Sequence, residues 1–164
     1  MKIQPYIEKL NNSKKFSEFK SSFPESYFSA GFFVIDFENK KNMHQIDYYN
    51  PKNKKMTTFE LDGEEIVAKE SAQPMPKTPE KINEEINLDL DILKGIVEDE
   101  MKNHTITHKL HKIIAVIQNN EGELVWNLNC ITSDMGVVKV HILDKNHSVL
   151  KFETVNLFDI VKKI

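Results

Sequence analysis

The stretch ELVWNLNCITSDMGVVKVHILDKNHSVLKFE, residues 123–153, decides the fold. Its opening alternates: Leu124, Trp126, Leu128 and Cys130 fall on one side, Glu123, Asn127 and Asn129 on the other. A period of two marks a strand with one side on a core and the other toward water. A loop with Ser133, Asp134 and Gly136 follows, then a second strand over 137–143. A tight turn at 144–147 leads into a third strand over 149–152. The stretch predicts a three-stranded antiparallel meander, which is a fold argument and carries no chemistry.

Upstream, residues 111–118 are apolar on both sides, as befits a strand near the middle of a sheet. Before them, Leu93, Ile96, Val97 and Met101 form one face of a helix that Asn87 or Asp89 can cap, with Glu98, Asp99 and Lys102 on the other. Ile82 and Ile86 suggest a further helical turn. Downstream, Asn156 is placed to cap a last short helix through Leu157, Ile160 and Val161.

The N-terminal part repeats this plan. Ile3, Tyr6, Ile7 and Leu10 share a helical face; Ser13 can cap a second helix carrying Phe16, Phe19 and Phe23, which Pro24 ends. Residues 27–37 again read as a central strand, followed by strands over 44–49, 56–61 and 66–68, with Asp62-Gly63 as a hairpin signal. Between the halves lies ESAQPMPKTPEK, residues 70–81, whose Pro74, Pro76 and Pro79 favour a semi-rigid extended connection.

These elements predict an α+β fold. Its units are tandem repeats of helix plus antiparallel β-meander over residues 1–70 and 89–164, joined by a proline-rich linker and short helix over 71–88. The sheet packs on helices, as one continuous sheet or with helices covering one side. Both halves carry a Leu-Asp step before the last hairpin, Leu61-Asp62-Gly63 and Leu143-Asp144-Lys145, which supports reading them as an internal duplication.

The second half also resembles a PepSY-like module, mainly over residues 89–155. The residues that carry the likeness are Trp126, the strand ending Ile142-Leu143-Asp144, the turn from Lys145 to Ser148, and Val149-Leu150 opening the next strand. The resemblance implies a helix over an antiparallel sheet in the manner of a cystatin. It implies a binding or protease-inhibiting module with no catalytic residues to carry over.

Composition narrows the function classes. The 164 residues carry 25 acids against 22 bases, a net charge of −3, so no strong field draws a polyanion. All the bases are lysine, and bidentate capture of phosphate or guanine edges is arginine's work, which argues against a nucleic-acid partner. An AT-rich genome is the simpler source of that bias. Cys130 is the only cysteine, in keeping with a reducing compartment. The start, Met1-Lys2-Ile3 and then Pro5, does not read as a signal peptide, and no apolar run reaches the ~20 residues that cross a bilayer. A cytoplasmic chain without membrane contact is expected.

Candidate chemistry is sparse. His104, His108 and His111 are spaced so that a continuing helix would bring all three imidazoles to one face, as zinc favours. The β-branched Thr105-Ile106-Thr107 disfavours that helix, and solvated histidines near a helix C-terminus are the plainer reading. Asp36 and Asp47 could pair across neighbouring strands as acid and base. Tyr48 and Tyr49, with Tyr27, Phe28, Phe32 and Phe33, could line an aromatic pocket, though filling a core is their first use. Cys130, in register with Trp126, reads as a small buried apolar group. No cofactor motif is present.

The function expected is a non-enzymatic module binding a protein or peptide partner, inhibitory or not, or a second copy of itself, through a sheet edge or the meander's polar face. The rival is a small-ligand binder or enzyme with an aromatic-lined pocket between sheet and helices.

Overall fold

The computed structural model describes residues 3–83 and 85–156. The helix expected through Leu157, Ile160 and Val161 lies outside the described residues, and Asn156 itself ends a strand.

Local sequence sets the helices. α1 (Gln4–Asn11) carries Pro5 in its first turn, where a missing N–H costs nothing. α2 (Lys14–Ser22) starts at Ser13, whose hydroxyl oxygen accepts from the Phe16 N–H at 3.2 Å. It ends at Phe23, just before Pro24. α3 (Leu90–Asn103) is capped by Asp89, which accepts from the Ile92 N–H at 2.9 Å.

The strands are β1 (Tyr27–Asp36), β2 (Met43–Asn50), β3 (Lys55–Glu60), β4 (Val67–Glu70), β5 (Leu110–Asn120), β6 (Glu123–Thr132), β7 (Gly136–Leu143) and β8 (Val149–Asn156). They form one eight-stranded antiparallel sheet in the order β4-β3-β2-β1-β5-β6-β7-β8. β1 and β5, the strands with apolar residues on both sides, are indeed central, paired from Ala30–Gln118 to Asp36–Lys112. Each half then runs outward as a meander, so the order is palindromic about that pair.

Helices cover one side of the sheet. Beneath α3, Leu93 and Val97 share a core with Phe33, Ile113, Ile117, Trp126, Leu128 and Cys130, and the indole is completely buried. The side of Leu124, Trp126, Leu128 and Cys130 therefore faces the core, as their alternation requires. Ile3, from the start of α1, joins the same core. α2 covers β2 and β3 with a smaller, aromatic cluster: the Phe16 ring lies 5.0 Å from Tyr48 and 5.6 Å from Phe59. Each large side chain buried here stabilises by about 1.5–3 kcal/mol.

Two features of β1 were not foreseeable from alternation. The β1–β2 register slips between Phe28 and Ala30, so Ser29 is an extra residue and Phe28 turns to the helix side beside Tyr48. Gly31 is then required by space: a Cβ there would come within 2.8 Å of both Ile117 Cγ2 and the Phe33 ring.

The proline-rich linker crosses one end of the sheet. Met75 N–H donates to Lys54 O at 2.7 Å, Tyr27 Oη to Pro79 O at 2.7 Å, and Ile82 N–H to Phe28 O at 2.8 Å. Glu80 holds the β5–β6 turn by accepting from the Glu121 and Gly122 N–H groups at 2.7 and 2.9 Å. Both turn residues have positive φ (53° and 82°), the two-residue hairpin geometry that favours glycine. Among the described residues from Ile82 to Ile86 none is helical, against the helical turn expected there. Both side chains reach the core, but the neighbouring N–H groups of Asn87 and Leu88 donate to the Asp144 carboxylate at 2.8 and 3.0 Å instead of to a helix.

The two Leu-Asp steps sit differently. Leu61 is buried in the aromatic cluster beneath α2, whereas Leu143 pairs with Val125 and neither belongs to the helix-side core. Asp62 accepts from His44, while Asp144 accepts from the Trp126 indole N–H at 2.9 Å. A one-residue difference in phase reverses the side on which a strand residue lies.

Candidate functional site

With the helices on one side, no described helix covers the other: Tyr49, Val125 and Leu143 are buried there, toward the end that the linker crosses, and the middle is left open. Eight strands at about 4.8 Å spacing make the sheet roughly 34 Å wide. At its centre, Phe32 and Val34 of β1 stand opposite Val116 and Ile114 of β5, all four half-buried. The rows continue outward into polar residues. Phe32 meets Gln45, which meets Glu60; Val116 meets Asn127, which meets His141; Ile114 meets Asn129, which meets Lys139. The surface thus has an apolar middle and a polar rim.

Asp47 lies on this face opposite Ala30 and Thr58. Burial raises its pKa, opposed by the Thr58 hydroxyl, which donates to Oδ1 at 2.6 Å. Across the sheet, burial lowers the His141 pKa, assisted by the charges of Lys151 and Lys139. The rim therefore presents a carboxyl on one flank and an imidazole between two lysines on the other.

The residues singled out from sequence do not converge. Tyr48 points to the helix side, among Phe16, Phe19 and Phe59, while Tyr49 lies on the opposite side against Tyr27, ring centroids 5.6 Å apart. They cannot line one pocket. Asp36 stands six positions along β1 from Ala30, the partner of Asp47, a separation of about 20 Å. Asp36 accepts from the N–H groups of Asn39 and Glu38 at 2.9 and 3.0 Å, and these bonds, Asn39 first, lower its pKa. It holds a turn and has no acid–base partner in Asp47.

The three histidines likewise take separate partners. His104 ends α3 and stacks on Phe152 with centroids 4.0 Å apart. His108 Nε2 lies 3.3 Å from Asp134, and His111 Nδ1 lies 3.3 Å from Glu38. α3 stops at Asn103, so no helical face gathers them, and among the described residues no group of three potential ligands could hold a metal ion. Burial pushes the Cys130 thiol up to about 12, far from a nucleophile's range.

Two carboxylates complete the polar interior. Asp144, 1% exposed, gathers the Trp126 indole and two linker N–H groups. Asp62 Oδ1 lies 2.7 Å from Nδ1 of the buried His44, whose ring stacks on Tyr6 with centroids 3.7 Å apart. Both carboxylates tie elements together: every partner named is a neighbouring strand, a helix or the linker.

No protein-family model matches the chain, and no curated protein does. Among solved structures, a Clostridium difficile 630 chain described as a "putative lipoprotein" is similar in fold, with a TM-score of 0.53 at 9% identity. The likeness covers 86% of this chain and 90% of that one. No described helix is long and apolar enough to cross a membrane.

The uncovered face is only half visible in the sequence. Asn127 and Asn129 are legible as the outward side of β6, but the apolar outward side of β1 and β5 reads there as a second buried surface. The available signal is one of coverage: an eight-stranded sheet has two sides, and the three described helices roof only one.

Proposed function

We propose that this protein is a non-enzymatic binding module whose uncovered sheet face, the extended form of the meander's polar side, takes a protein or peptide partner. The observation that carries the reading is the apolar block of Phe32, Val34, Ile114 and Val116, which no described element covers, set within a rim of amides and charges. A dry centre with a polar border is the anatomy of protein interfaces. An inhibitory role belongs to the same reading, since a broad flat face can occlude a partner's own site. The palindromic strand order further supports an internal duplication, with α3 over β5–β8 as the PepSY-like unit. The differing Leu61 and Leu143 sides mean that any such duplication has since shifted by one residue at that strand end.

The test is capture from the lysate of the source cells by wild-type protein, by Ile114→Glu, and by Glu98→Lys on the outer face of α3. A species retained by wild type and by Glu98→Lys but lost with Ile114→Glu is the expected result. Identical captures by all three proteins would remove the face from consideration.

A further inference from the structure

The sheet has two edges, and they are unlike. β4 is four residues long, and its charges are already tied inward, Lys69 to Glu60 at 2.9 Å and Glu70 to Lys55 at 3.4 Å. Short, charged edges of this kind resist pairing. β8 is eight residues long, and among the described residues no strand pairs with its outer edge. Lys151 and Glu153 stand opposite His141 and Lys139, so both side chains lie on the uncovered face, where they pair with each other at 3.3 Å, with Phe152 between them on the helix side.

We propose that β8 is a self-pairing edge, which joins a second copy of this chain antiparallel about a twofold axis through Phe152. Charge selects that register. With the axis at Phe152, Lys151 of each copy stands opposite Glu153 of the other, giving two cross-strand ion pairs. Centring on Lys151 or on Glu153 sets like charges against each other, and centring on Thr154 leaves Glu153 opposite Val155 with no ion pair. Opposite charges directly across from each other stabilise a strand pair, and like charges there destabilise it. Leu150, the extra residue of a bulge and 54% exposed, closes the ladder at each end. An axis perpendicular to the sheet makes one continuous sixteen-stranded sheet and keeps both uncovered faces on the same side. The pairing is independent of what those faces bind.

The experiment is light scattering over a concentration series on the wild type, Lys151→Glu, Glu153→Lys and the double exchange Lys151→Glu/Glu153→Lys. Thermal melts alongside confirm that each variant is folded. Wild type should dimerise, and each single reversal should raise the midpoint concentration about tenfold or more. The double exchange, which restores opposite charges across the axis, should return it to the wild-type value. A wild type that stays monomeric to its solubility limit, single reversals that dimerise as it does, or a double exchange that fails to recover would each overturn the proposal.

Discussion

Phe32 and Phe33 are consecutive in β1 and identical in chemistry, yet they meet different fates. Phe33 is completely buried between Trp126 and His44, with ring centroids 5.9 and 5.8 Å away. Phe32 is half-buried on the face that no described helix covers, opposite Gln45 and Val116. The same contrast runs through β5, where Ile113, Ala115 and Ile117 are fully buried and Ile114 and Val116 are not. The difference teaches that apolarity on both sides of a strand fixes its place in the sheet without fixing what covers it. Where cover is missing, that surplus becomes a candidate for recognition.

The sharpest way to break this comparison is to truncate each neighbour in turn. Phe33→Ala should cost about 3–5 kcal/mol, since it opens a cavity in the core, whereas Phe32→Ala should cost about 1 kcal/mol or less. Urea midpoints measure both; equal losses would mean that the second side is a core in its own right. Next in size is Trp126→Phe, which keeps most of the ring volume but removes the N–H that reaches Asp144. The carboxylate then loses one of its buried donors, at about 1–3 kcal/mol. A variant as stable as wild type would show that the two linker N–H groups suffice.

The smallest effect is on the uncovered side, where Asp47 has a pKa raised by burial. A carboxyl raised in the folded state binds its proton more tightly there than in the unfolded chain. Its contribution to stability is thus fully present at low pH and lost as pH rises from about the ordinary value of 3.8 through the raised one. Asp47→Asn removes that dependence, so the stability of this variant relative to wild type should grow across the window and level off above it. Asp36 and Asp134, whose pKa values are lowered by the hydrogen bonds they accept, act in the opposite sense but are common to both proteins and cancel. A difference that does not vary with pH would place Asp47 in contact with water.

Much of the fold is legible in the sequence because it rests on short-range rules. Ser13 and Asp89 cap the helices expected from their positions, and Leu124, Trp126, Leu128 and Cys130 face the core together. What stays hidden depends on contacts between distant residues. No local pattern announces that Ser29 bulges, that Leu143 turns away from the side Leu61 takes, or that the backbone beside Ile86 serves Asp144. The candidate site is less legible still. Tyr48 and Tyr49 look like a pair in sequence, but adjacent residues of a strand point to opposite sides. The histidine run looks like a cluster until the end of α3 separates its members.

The β1–β5 seam has one more consequence. The two halves are joined there by an uninterrupted ladder and by a core that mixes Ile3, Phe33 and Ile35 with Leu93 and Trp126. Covalent continuity through the proline-rich crossing is therefore redundant once the molecule is assembled. A protease that nicks the chain near Pro76 would leave two fragments still clasped, and genes encoding the halves separately would make a split protein that reconstitutes along its own midline.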